Sequence, residues 1–290
     1  MANIEKVYLY ALTTLERVKG ILSITDPSWD SVLSRYVNSV TDYIERSCGK
    51  TGLEKYPNDG HFALKTYTRE VYSVRGTRQN RLVLKNAPVF YAITAGNVAA
   101  GSTTVTNIPS TAGMAVGMPV LAGGIFPQNT TIASVVSATS ITTNQGASVT
   151  QTAAILEVSG LISFQWRAGT PSNPSWTDFI QDQFELEEQG YAGIVRVYGA
   201  MPAIYSNMLR ANYVAGYALD WQNAGNGTTH QLPADLSECC ENIVIRQFKR
   251  RELAGKSSES MQGATISFRN TLDDFDQQTI QKYTRITSSF

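Results

Sequence analysis

The feature that most constrains this chain is a long stretch without charge. From Asn86 to Leu156, 71 successive residues include no Asp, Glu, Lys, Arg or His, while all 48 Asp, Glu, Lys and Arg side chains lie elsewhere. Chance does not readily produce such a gap. Inside it, Gly101-Ser-Thr-Thr-Val-Thr, Thr130-Thr-Ile-Ala-Ser-Val and Ser140-Ile-Thr-Thr alternate β-branched and small polar residues between Gly, Pro and Asn turns. That is the sequence form of short strands in a small sandwich or barrel. Residues 94–156 therefore read as a β-module inserted into a host domain. A disordered Ser/Thr/Gly linker is the weaker reading, because Val105, Ile108, Val116, Val120, Ile125, Ile132, Val135 and Ile141 supply a small core.

The host sequence on either side, 1–93 and 157–255, begins with helices. Thr13-Thr-Leu-Glu16 has the form of a capping box, with Leu15, Val18 and Ile21/Leu22 following at helical spacing. Asp26-Pro27 restarts the chain as N-cap and first-turn proline. The second helix carries Trp29, Leu33, Tyr36, Val37, Val40 and Ile44 on one stripe and ends at Cys48-Gly49. Strands are expected at Leu64–Val74, Arg81–Leu84, Leu161–Arg167, Gly193–Tyr198 and Leu209–Tyr217, and a third helix over Ala234–Leu253. The tail, 256–290, is polar, with a further helix bearing Leu272, Phe275, Ile280 and Tyr283. The whole reads as an α+β protein, a helical bundle with an antiparallel β portion plus a small all-β inserted module.

Composition narrows the setting. Lys+Arg and Asp+Glu are equal at 24 each, so net charge gives no support for a dedicated nucleic-acid or membrane binder. Three cysteines, two of them adjacent, are no disulfide framework and suit a reducing compartment. Met1–Tyr10 carries Glu5 and Lys6 and no apolar core, so no signal peptide is expected. Ala112–Phe126, the most apolar window, is too short to span a bilayer.

Several segments resemble the head–tail connector (adaptor) family of tailed bacteriophages and gene-transfer agents. They are Ala11-Leu-Thr-Thr-Leu-Glu-Arg-Val-Lys-Gly, Thr25-Asp-Pro with a helix ending Tyr43-Ile-Glu-Arg-Ser-Cys-Gly, and Leu82-Val-Leu-Lys-Asn-Ala-Pro-Val. Ala211-Asn-Tyr-Val-Ala-Gly-Tyr and Leu232-Pro-Ala-Asp-Leu complete the set. Each is weak alone; their order and spacing are specific. The resemblance, over about 11–93 and 158–255, implies a structural virion protein at the neck, assembled in the host cytoplasm. It implies a dodecameric ring joining the portal protein to the tail terminator or stopper, with a channel for genomic DNA and no sequence recognition. The family's compact form lacks the long insert. Other readings are a β-rich tail protein (a tail terminator), a carbohydrate-binding surface module, and an acid–base glycosidase.

Motifs that carry chemistry are sparse. His61 and His230 sit in turn-like sequence without a second ligand nearby, and Asn226-Gly-Thr-Thr-His is a turn. Cys239 and Cys240 diverge around one helix and cannot form the usual zinc pair, so at least one packs in the core. No phosphate loop and no Gly-x-Ser-x-Gly elbow is present. No cofactor, no metal and no catalytic residue is expected.

Two charged runs remain. Asp178, Asp182, Glu185, Glu187 and Glu188 give 176–190 a net charge of −5. Paired carboxylates can serve glycoside hydrolysis, but five on one segment read better as a solvated face, here a candidate lining of the DNA channel. Arg246, Lys249, Arg250, Arg251 and Lys256 against Glu252 give 246–256 a net +4. Arg246, Lys249, Arg250 and Arg251 are candidates for an inter-subunit or portal interface, joined by Leu272, Phe275, Ile280 and Tyr283 of a tail expected to dock on partner subunits.

Overall fold

The first helix begins where a hydroxyl replaces a missing backbone partner. Thr14, in extended conformation, accepts from the Arg17 N–H at 3.2 Å and opens α1 (Leu15–Leu22). The cap falls one residue after the expected Thr13, whose hydroxyl instead donates to Glu241 Oε1 at 2.7 Å. Asp26 accepts from the Ser28 N–H at 2.9 Å, starting a single 3-10 turn, Pro27–Trp29, that leads into α2 (Asp30–Ser47). On α2, Leu33, Val37, Val40 and Ile44 are fully buried, while Tyr36, and Trp29 in the turn before the helix, are only half-buried. Gly49 follows the helix with φ +71°, the left-handed conformation expected of it.

The computed structural model describes residues 6–49, 61–73, 80–170, 172–198, 208–219, 230–251, 258–261, 264–267 and 272–284. The chain divides into two compact units, residues 1–62 with 232–290, and residues 63–231. The expected module 94–156 lies inside the second. Val74, Asn226–Thr229, Glu252, Leu253 and Lys256, named above, lie outside the described residues.

In the first unit, α3 (Ala234–Arg250) packs on α1, α2 and α4 (Asp274–Tyr283). Its buried face is Leu236, Cys239, Cys240, Ile243 and Val244, spaced as a helix face requires. Both adjacent cysteines are therefore core residues, and burial pushes the Cys239 thiol up to about 11. Each large apolar side chain so buried contributes about 1.5–3 kcal/mol over exposure. Polar residues tie the bundle too: the Leu12 N–H donates to Thr41 Oγ1 at 3.2 Å, and the Tyr8 N–H to Asn38 Oδ1 at 2.8 Å. Glu45, fully buried on α2, accepts from the Phe62 N–H at 3.0 Å and lies 2.8 Å from His61 Nδ1. His61 is thus held against a buried carboxylate and stacks on Tyr10, rather than standing in an open turn.

The second unit is antiparallel β-sheet. Its strands are β1 (Lys65–Ser73), β2 (Arg81–Val83), β3 (Tyr91–Val98), β4 (Thr104–Val105), β5 (Val120–Leu121), β6 (Ile132–Ser137), β7 (Ser140–Thr143) and β8 (Gln151–Ser159). They continue as β9 (Leu161–Thr170), β10 (Asn173–Asp178), β11 (Phe184–Leu186), β12 (Ile194–Val197) and β13 (Met208–Ala215). The sheet orders are β1-β13-β9-β10, β11-β12-β2, β3-β8-β5 and β4-β7-β6. In the residues of the first unit, β14 (Ser258–Met261) and β15 (Ala264–Ser267) form a hairpin. The expected α+β class is the class observed.

Among the described residues, two apolar cores lie in the second unit. One gathers Val105, Ile108, Val120, Ile125, Ile132 and Ile141 with Phe90, Met118 and Leu156. Six of the eight core residues read from the charge-free stretch are thus buried. Val116, next to the Gly117 turn (φ +88°), is 61% exposed, and Val135, on edge strand β6, is 39% exposed. Ile93 and Glu157 are register partners on β3 and β8.

The other core holds one buried carboxylate. Glu70 accepts from Tyr72 Oη at 2.5 Å, Tyr213 Oη at 2.6 Å and Asn86 Nδ2 at 3.3 Å. The Lys85 and Asn86 N–H groups donate in turn to Tyr72 Oη (3.1 Å) and Tyr213 Oη (3.2 Å). A buried charge is tolerated when its lone pairs are met in this way. Burial foremost, then the neighbouring phenol and Glu70, hold the Tyr72 phenol above its ordinary range; burial and Glu70 do the same for Tyr213.

Tyr213→Phe removes one donor to Glu70 and the acceptor of the Asn86 N–H, and we expect it to cost about 1–3 kcal/mol in chemical denaturation. Because both phenols titrate higher folded than unfolded, their contribution is complete below the ordinary phenol pKa near 10 and falls as pH rises past it. Stability followed from pH 8 to 11 therefore declines, and declines less steeply in Tyr213→Phe.

Candidate functional site

The acidic run does not form one face. Phe184, Glu185 and Leu186 of β11 pair with Val197, Arg196 and Val195 of β12, so the run is built into a sheet edge. Glu187 lies between two guanidinium groups, 2.8 Å from Arg81 Nε and 2.6 Å from Arg196 Nε. Against the desolvation that would raise it, these bonds hold its carboxyl below the usual range. Glu188 is exposed at φ +48°, the first of three successive left-handed residues that end at Gly190. A Cβ at Gly190 would stand 2.6 Å from the Val89 carbonyl oxygen, so the turn requires glycine. Asp178, at the end of β10, is exposed and accepts from Gln165 Nε2 at 2.7 Å.

The remaining two acids, Asp182 and Glu185, line a cavity of about 430 Å³ within the second unit. Its opposite wall is the outer face of the β3-β8-β5 sheet, with Tyr91, Leu121, Glu157 and Ser159. Phe126, Leu161, Phe184 and Leu186 supply its apolar lining, with Gln128 and Asn129 beside them. Tyr91 Oη donates to Glu157, and Tyr198 Oη donates to Glu185. Burial, the bond to Glu157 and the charges of Glu157 and Glu185 push the Tyr91 phenol above its ordinary range. No Lys, Arg or His lines the cavity among the described residues.

The candidate interface residues of the first unit divide similarly. Arg246 pairs with Asp273 and with the fully buried Asp276 at the start of α4. The Arg251 guanidinium lies 3.7 Å from the Trp29 ring centre and 4.3 Å from that of Phe248. Lys249 is exposed and Arg250 half-buried. In the tail, Ile280 is buried, Tyr283 donates to Asp235 Oδ1 at 2.8 Å and meets Phe62 edge-on, and Leu272 is half-buried. Phe275 is 42% exposed.

Tyr91, Phe126 and Glu157 were absent from the sequence-derived candidates. The signal for Glu157 was present, since it is the first charged residue after the uncharged stretch. The cavity itself comes together from four separated segments, which no local pattern reveals. His230 Nε2 donates to the Gln189 carbonyl at 2.9 Å. Among the described residues, no group of three or more His, Cys, Asp or Glu is placed to hold a metal ion, and no helix is long and apolar enough to cross a membrane.

Residues 12–85 match the family model of phage gp6-like head-tail connector proteins. The matched stretch runs from the residue before Thr13 through α1, α2, β1 and β2, and ends at Lys85, at the edge of the uncharged stretch. The match supports the connector family, and with it a structural protein of the phage head–tail interface. That family is structural rather than enzymatic. Comparison with curated proteins finds no match.

Asp276→Ala strips Arg246 of one of its two carboxylates at the α3–α4 contact. We expect a loss of about 2 kcal/mol, below the cost of breaking an isolated buried pair because Asp273 remains. The check is a lower urea midpoint for the helical circular-dichroism signal, with faster proteolytic release of the segment containing α4.

Proposed function

We propose that this chain is a head–tail adaptor, a homo-oligomeric ring that joins the portal protein to the tail terminator or stopper. The observation that carries the reading is the connector-family match over residues 12–85. In it, 1–93 and 157–255 act as the adaptor core, 94–156 as a peripheral module, and 256–290 as a tail that also meets partner subunits. The ring is dodecameric by resemblance, sits at the virion neck after assembly in the host cytoplasm, and leaves a channel through which DNA passes without sequence recognition. Docking, not bond chemistry, is its activity.

A closed ring repeats one heterologous interface, so each subunit needs two different complementary surfaces. We assign the exposed Lys249 and half-buried Arg250, with Arg251, Leu272 and Phe275, to the inter-subunit or portal contact. Arg246, Ile280 and Tyr283 support that surface from within, through their contacts in the first unit. Asp178 and Glu188, both exposed, are the members of the acidic run best placed to line a channel, where like charge keeps phosphates from adhering.

Electron microscopy of the purified full chain with its portal tests the reading: closed rings at the portal are expected, and particles without rings overturn it. Assembly across exposed charge pairs weakens as salt rises, because screening sets in beyond about 8 Å at physiological ionic strength. Lys249→Glu with Arg250→Glu should lower ring yield severalfold; an unchanged yield and unchanged portal binding remove the basic run from the mechanism. Separately, replacing 95–155 by a short Gly/Ser loop should leave a folded, ring-forming protein, since Ile93 and Glu157 are already register partners. Loss of folding would place that segment in the adaptor core.

A further inference from the structure

The cavity of the second unit is lined by acids and apolar side chains, with no Lys, Arg or His among the described residues. Its volume of about 430 Å³ is in the range of ligand clefts. Three carboxylates line it, Glu157, Asp182 and Glu185. Among the described residues, Glu157 and Glu185 accept from phenols, those of Tyr91 and Tyr198. Elsewhere in the same unit the neighbouring Glu187 receives two arginines. Among the described residues, Arg81 and Arg196 are thus both engaged by Glu187, although Arg196 is also the register partner of Glu185, and no ion pair reaches Glu157, Asp182 or Glu185. Three carboxylates around one apolar-walled cleft give it a negative field that favours a cationic guest.

The surface beside the cavity is apolar. Ile93, Glu157 and Leu121 form one cross-strand row on the outer face of β3-β8-β5, because Glu157 is the register partner of both Ile93 and Leu121. Ile93 is 42% and Leu121 41% exposed, and Ile155, two residues before Glu157 on the same face, is 64% exposed. Three large aliphatic side chains thus border the one acid that this sheet face carries toward the cavity. Contiguous exposed apolar surface of this kind marks a place where another molecule sits.

We propose that this cavity receives a Lys or Arg side chain carried on an apolar segment of a partner protein. Such a side chain has the two properties the site asks for. Its methylene stem lies along Phe126, Phe184 and Leu186, while its charged head reaches the carboxylates. The residues flanking it on the partner cover Ile93, Leu121 and Ile155. Electrostatic complementarity of this sort sets register and selects among partners. The inference does not depend on the ring: the cavity is built within one chain, and a monomer would carry it.

The test uses the full chain with isotope-labelled methyl groups and two short blocked peptides, Leu-Lys-Leu and its uncharged isostere Leu-norleucine-Leu. Titration of the lysine peptide should shift the methyl signals of Leu121, Leu161 and Leu186, and the isostere should bind at least tenfold more weakly. Glu157→Gln and Glu185→Gln should each weaken lysine-peptide binding severalfold, and the double variant at least tenfold. Melting curves of the single variants establish that they are folded, so the singles carry the test if the double is not. Equal affinity for the isostere, unchanged affinity in the folded carboxamide variants, or shifts confined to other methyls would overturn the proposal. Cadaverine supplies the same ammonium and stem without flanking residues. Binding as tight as the peptide's would make the occupant a free cation and overturn the assignment to a protein segment. Rings that form normally while the peptide fails to bind would refute this inference and leave the adaptor reading standing.

Discussion

The buried carboxylate of Glu70 constrains the second unit more than any other single group. A carboxylate in an apolar core survives only where donors surround it, and here those donors come from separate pieces of chain: Tyr72 on β1, Tyr213 on β13 and Asn86 after β2. Register between β1 and β13 is therefore fixed by chemistry as well as by side-chain alternation. The same network anchors Lys85 and Asn86, the point where the charged host sequence gives way to the uncharged stretch. Everything between Asn86 and Leu156 departs from a backbone position that this network holds.

Much of the helical part was legible because local chemistry and tertiary packing agree there. The Asp26-Pro27 start, the Leu33-Val37-Val40-Ile44 stripe and the Gly49 stop are each visible within a few residues. The cap of α1 shows where legibility ends. Thr13 and Thr14 are equivalent as sequence, and what distinguishes them is Glu241, more than 200 residues away, which takes the Thr13 hydroxyl. Glu45 and His61 illustrate the same limit, since a polar residue on a buried stripe declares its partner only in three dimensions.

The acidic run was legible as charge and illegible as structure. Its alternation of Phe184 and Leu186 with Glu185 and Glu187 is a strand pattern, yet five acids within eleven residues read first as a solvated surface. In the fold those acids have separate fates: one clamped by arginines, two beside a cavity, two in the open. Likewise the basic run is no uniform patch, since Arg246 secures α4 and Arg251 covers aromatic rings. Net charge along a segment predicts sign, and the partners that each residue finds decide what the sign is used for.

The base of the charge-free module has a mechanical consequence. Entering and leaving strands β3 and β8 are paired antiparallel from Tyr91 and Ser159 outward, and just below them the Phe90 N–H donates to Val214 O at 2.8 Å and the Gly160 N–H to Phe90 O at 2.7 Å. Tension drawn along the backbone through this point would meet the two strands at one end, so their hydrogen bonds would open one after another, as a zipper does, rather than shearing together. The clasp around Phe90 and Gly160 is the first to bear that load. A force passing along the chain is then resisted by a few bonds at the root, while the distal sheet β4-β7-β6 stays slack.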